Sequence, residues 1–162
     1  MDTKFLIVSP LRDSLPPRED VLTQAWGELP VSYVLDEADL NEASYMDVKV
    51  NKWEVNPIWS ERYGLEPLIG VEFLKGESLK AYLQETDLAP AVDVRTQRLI
   101  VVTLDEEGRS EIDGLLTKAL VRVLAKSGQC YLVAEDLTPV DEHYFLSLPS
   151  AGALKRQLEQ GY

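Results

Sequence analysis

Few residues in this chain carry chemistry by type alone. One cysteine, Cys130, and one histidine, His143, occur among the 162 residues. A single thiol cannot close an intramolecular disulfide, so nothing points to an oxidising compartment. Cys130 lies in the strand-like run 129–135 (QCYLVAE) and is expected to act as a small buried apolar side chain. A catalytic thiolate there would need a nearby base, and His143 is the sole imidazole. Phosphate cradles are missing: Gly64, Gly70 and Gly76 are too widely spaced for Gly-x-Gly-x-x-Gly, and no Gly-Lys-Ser or Gly-Lys-Thr occurs. Long apolar runs are missing too. The N-terminal run from Phe5 to Val8 is short, Asp2 stands where a signal peptide carries bases, and nowhere do the roughly 18 apolar residues of a membrane span run together. A cytoplasmic protein with no membrane partner is the expectation.

Bases are absent from two long windows. Between Arg18 and Lys49 the acids Glu19, Asp20, Glu28, Asp36, Glu37, Asp39, Glu42 and Asp47 stand without a Lys or Arg among them. Between Lys126 and Lys155 the same holds for Glu135, Asp136, Asp141 and Glu142. These windows account for the whole formal charge of −12, since the rest of the chain has sixteen acids and sixteen bases. Such a distribution favours a negative field over one part of the surface, which attracts a basic partner and repels nucleic acid. A plain solubility surplus is the alternative reading.

What is present describes an α+β protein. A length of 162 residues fits one domain spanning 1–162, because domains cluster at roughly 100–150 residues. Residues 4–9 (KFLIVS) form a continuous apolar run suited to a strand covered on both faces. Pro17 can open a helix that carries Val21, Leu22, Ala25, Trp26 and Leu29. Residues 31–35 (VSYVL) read as a strand, and 36–43 as a polar connection or a short helix. In 45–55, Met46, Val48 and Val50 alternate with polar residues as in a half-exposed strand, and Trp53 and Val55 fall on the other parity, which suggests a bulge or a bend near Asn51. Residues 56–67 suggest a loop with one helical turn, 68–74 a strand and 76–85 a helix. Residues 98–104 (RLIVVTL) have high β propensity. Ser110 and Asp113 make a capping pattern before the stripe Ile112, Leu115, Leu116, Ala119, Leu120, Val123 and Leu124, and Gly128 is expected to close that helix. A strand at 130–135, a turn at 138–141, a strand at 143–148 and a helix capped by Ser150 complete the chain. The expected architecture is a single mixed sheet of six or seven strands with about four helices packed on it, because several strands are linked too briefly for helical crossovers.

Sites are sparse. Asp36, Glu37, Asp39 and Glu42 lack the Asp-x-Asp-x-Asp-Gly spacing of a calcium loop, and no metal or other cofactor is expected. His143 follows Asp141 and Glu142, but no Gly-x-Ser-x-Gly elbow accompanies it. Trp53, Trp59, Arg62 and Tyr63 are the residue types that dominate interface hot spots. With the acids Asp36, Glu37, Asp39 and Glu42 they make a candidate partner-binding surface; the alternative for the aromatics is core packing. The profile of size, acidity, cytosolic character and missing cofactor motifs resembles that of bacterial immunity proteins, which neutralise toxins delivered between competing cells. That resemblance implies a non-catalytic inhibitor of a basic protein partner and carries no residue of the family onto this chain. An adaptor subunit of a larger assembly, a homo-oligomer, and a small hydrolase-like enzyme using His143 remain the alternatives.

Overall fold

A computed structural model describes residues 3–63, 67–106 and 110–161, with the side chains of 61–63 outside that description. The elements in chain order are β1 (Thr3–Pro10), α1 (Arg18–Trp26), β2 (Val31–Leu35), β3 (Tyr45–Val50), α2 (Lys52–Val55), α3 (Ile58–Tyr63), β4 (Ile69–Leu74), α4 (Gly76–Glu85), β5 (Gln97–Leu104), α5 (Glu111–Leu124), β6 (Gln129–Val133), β7 (Leu137–Val140), α6 (Glu142–Phe145) and α7 (Ala151–Gln160). The strands form one sheet in the order β2-β3-β4-β5-β1-β6-β7. This is the α+β class expected from the element order. The sheet is not mixed: each ladder between described strands is antiparallel.

Burial on both faces explains why β1 reads as an unbroken apolar run. Phe5 and Ile7 enter the larger core, under α1, α5 and α7, while Leu6 and Val8 enter a smaller core against Leu79 of α4. β3 shows the opposite pattern, with Met46, Val48 and Val50 buried and the alternating Asp47 and Lys49 only half-covered. Its parity breaks where expected, at Asn51, because the chain leaves the sheet there and starts α2. The Asn51 N–H donates to the Pro30 carbonyl at 2.8 Å, and its side-chain amide donates to Ser32 Oγ at 2.9 Å. Trp53 and Val55 therefore lie on a short helix rather than on the far face of a strand.

Two late expectations are corrected. Residues 137–140 are a strand rather than a turn, and 142–145 are a helical turn rather than a strand. The reason lies in Asp141, whose Oδ1 accepts from the N–H groups of His143 (3.0 Å) and Tyr144 (3.3 Å) and so caps a helix N-terminus. Phe145 alone of that turn is fully buried, and Tyr144 meets Phe5 edge-on at 6.3 Å between ring centroids. The end of α5 also differs. Its cap is Ala125, and Gly128 lies beyond it, where a Cβ would come within 2.3 Å of the Val8 carbonyl oxygen. Gly128 serves close approach of the backbone to β1 rather than a left-handed helix end. The capping pattern at α5 stands as expected: Asp113 Oδ2 accepts from the Ser110 N–H at 2.7 Å.

Candidate functional site

The candidate partner-binding residues divide between surface and core. Asp36, Glu37, Asp39 and Glu42 are all exposed on the connection from β2 to β3. Two of them also hold that connection in shape. Asp36 accepts from the Ser44 N–H at 2.9 Å and the Ser44 hydroxyl at 2.6 Å, which holds its carboxyl below the usual carboxylate range. Asp39 accepts from the Asn41 N–H and side-chain amide, each at 2.9 Å, with the same consequence. Glu42 lies 3.8 Å from Lys75 Nζ, an exposed pair of little energetic weight.

Trp53 and Trp59 part ways. Trp53 is 47% exposed on α2, whereas Trp59 is only 2% exposed. The Trp59 indole N–H donates to the Leu158 carbonyl at 2.9 Å, and Lys52 Nζ sits 5.0 Å from its ring centroid. Trp59 belongs to the core and is withdrawn from any partner surface; its burial is the physical correction to its candidate role. The side chains of Arg62 and Tyr63 lie outside the described residues. Trp26 is core, as its place on the α1 stripe predicts, and its indole N–H donates to the Leu116 carbonyl at 2.9 Å.

Sequence spacing missed three features of this region. The first is Lys52, 2% exposed, whose Nζ lies 2.8 and 2.9 Å from the two Asp113 carboxylate oxygens. This buried pair ties α2 to the N-terminus of α5. The second is a set of exposed apolar side chains on β2 and β3: Tyr33, Val34 and Tyr45. Arg18 stacks over the Tyr33 ring at 4.1 Å, with its other side in contact with Glu19. The third is the position of β2 itself, which is an edge of the sheet. All of β2 lies within the base-free window 19–48, so the open edge and the acids of its connection fall in one region, while Trp53 stands outside the window, beyond Lys49 and Lys52. Asn51, two residues before Trp53, is bonded to Pro30 and Ser32 at the start of β2, the end of the strand opposite to Asp36 and Glu37.

The two acidic windows do not merge. The first borders β2, and Glu135, Asp136, Asp141 and Glu142 border β7, at the other end of the sheet order. With strands roughly 4.8 Å apart, the two edges stand about 29 Å from each other. That exceeds the Debye length of about 8 Å at physiological salt, so the windows act as separate fields. His143 is exposed in α6, and the Asp141 carboxylate is engaged by backbone N–H groups. Cys130 is buried, and burial pushes its thiol up to about 12. Among the described residues no group of three or more His, Cys, Asp or Glu converges as a metal site would require, and no helix is long and apolar enough to cross a membrane.

Fold and surface together define an α+β protein with one seven-stranded antiparallel sheet, an acidic edge at β2 and a second acidic edge at β7. Comparison with protein-family models, with curated proteins and with solved structures gives no match.

Proposed function

We propose that this chain is an acidic binding protein whose β2 side captures a basic protein partner, and that the partner is a toxin the chain neutralises, in the manner of an immunity protein. The observation that carries this reading is the coincidence of the base-free acidic window with the exposed Tyr33, Val34 and Tyr45 of β2 and β3. Partner surfaces combine apolar anchors with a charged rim. Trp53, Tyr33, Val34 and Tyr45 supply the first, and Glu28, Asp36, Glu37, Asp39 and Glu42 the second. Complementary charge raises the rate of encounter, which suits an inhibitor that must reach an enzyme before the enzyme acts.

The first test is affinity capture from lysate of the source cells with salt washes, followed by co-expression of the captured basic protein with and without this chain. Loss of toxicity on co-expression is the expected result. The steering claim is then tested with Asp36→Asn, Glu37→Gln, Asp39→Asn and Glu42→Gln combined. The amides keep acceptors for Ser44 and Asn41 and remove the charge. Association should slow by about tenfold or more at low ionic strength and lose most of its salt dependence. An unchanged rate would remove electrostatic steering from the proposal.

A second reading has its own support. The same exposed Trp53, Tyr33, Val34 and Tyr45 suit a surface covered permanently in a larger assembly, as in an adaptor subunit. Recovery of one shared complex rather than one basic protein would select it.

A further inference from the structure

The two edges of the sheet are finished differently. At β7, the Ala134 N–H donates to the Asp136 carbonyl, which fixes the ladder parity: 132/138 and 130/140 are the hydrogen-bonded pairs, and Pro139 falls at a position whose backbone points outward. Pro139 thus removes a donor from the open side of β7 without costing the ladder a bond, which blunts that edge against further strands. At β2, the bond from the Asn51 N–H to the Pro30 carbonyl fixes the parity in the same way. The pairs 32/49 and 34/47 are bonded to β3, and the backbone N–H and C=O groups of Val31, Tyr33 and Leu35 point outward. No proline or charge interrupts Val31–Leu35 (VSYVL). Val34 is 60% exposed and Tyr33 40%.

We infer that the β2 edge is a strand-addition site: a basic, extended segment of a protein partner pairs with the outward backbone groups of Val31, Tyr33 and Leu35. This rests on the reading of the β2 side as the partner surface and specifies how that surface is used. Charge selects the occupant. Glu28 precedes β2 and Asp36 and Glu37 follow it, all exposed, so both ends of an added strand meet carboxylates. The same charges disfavour a second copy. Two β2 strands paired about a two-fold axis at Tyr33 would bring Glu28 of one chain beside Asp36 and Glu37 of the other. Backbone pairing supplies affinity that tolerates variation in the partner's sequence, and the exposed Tyr33 and Val34, on opposite faces of β2, supply contacts for alternate side chains.

The test follows backbone amides by NMR as a short alternating Lys-Val peptide is added to the full chain at low salt. A second peptide has the same side chains and every backbone nitrogen methylated. The expected result is saturable binding of the first peptide, with shifts and slowed hydrogen exchange at Val31, Tyr33 and Leu35. Methylation should weaken it by about tenfold or more through lost backbone hydrogen bonds. Tyr33→Pro should do the same, since it removes one outward N–H at a position where the ladder loses nothing. Equal binding of both peptides, with shifts confined to 36–42, would overturn strand addition and leave the acidic-surface reading standing. Failure of both peptides to bind would count against both readings. A mass that rises with concentration in sedimentation and reverts in Tyr33→Pro would give the edge to a second copy and overturn the basic segment as its occupant.

Discussion

Asp113 does two things with one carboxylate. It closes the α5 cap with Ser110 and neutralises Lys52, and both groups of the ion pair are almost wholly buried. Removing the charge of Asp113 alone takes from a buried ammonium the carboxylate that meets it at 2.8 Å. Asp113→Asn should therefore destabilise the fold by about 3–5 kcal/mol in urea unfolding. Adding Lys52→Met to it should recover part of that loss, because the buried charge is gone and the amide still accepts from Ser110. Trp59→Ala removes an indole with a satisfied N–H and leaves a cavity between α3 and α7, at a cost of about 3–5 kcal/mol; a loss below about 1 kcal/mol would contradict its place in the core. Cys130, with its thiol raised to about 12 by burial, should resist alkylation at neutral pH in the folded protein and react once denaturant is added. None of these pairings is visible in spacing: Lys52 and Asp113 stand 61 positions apart, and Trp59 and Leu158 stand 99 apart.

The elements vary in how legible they are, and the reason is length and periodicity. α5 reads directly because its apolar stripe runs along a helix of 14 residues that begins at a cap, and β1 because both of its faces are buried. The stretch 137–148 misleads because its elements are four residues long, too short for either period to assert itself. The signal that decides it is Asp141, a good N-cap directly before Glu142, rather than the apolar run that follows. Of the candidate surface, the acids were legible as a base-free window, whereas the open edge of β2 was not, because edge position is a property of strand order. The connection between β2 and β3 has a pH dependence that follows from Asp36. Its carboxyl titrates lower in the folded chain than in the unfolded one, so the folded state binds fewer protons. Its contribution is complete above the ordinary carboxylate range and is lost as pH falls through the lowered folded value. Amide exchange at Ser44, compared at equal intrinsic rate, should accelerate in acid before that of Val102 in the sheet centre. Gly128→Ala should destabilise the β6 start, since Val8 backbone would have to move.

At the scale of the molecule, the sheet keeps two acidic edges apart, and a partner at one should not sense the other. Glu135→Gln, Asp136→Asn and Glu142→Gln combined should leave association with a partner at β2 within about twofold at physiological salt. Asp141 is left out because it caps α6. A large effect would move the interface to β7 or make it span the sheet.

The place of β1 has a consequence for the order in which the chain can mature. β2, β3 and β4 neighbour one another in sequence and in space and can pair as soon as each is complete. β1 cannot: its partners begin at Gln97 and Gln129. Within this sheet β1 is made well before the two strands that shelter it, and Phe5, Leu6, Ile7 and Val8 wait in water until β5 and β6 exist. Pairings of such long sequence separation place refolding in the slow regime of about milliseconds to seconds, and they make β1 the strand of this sheet that stays longest without its neighbours.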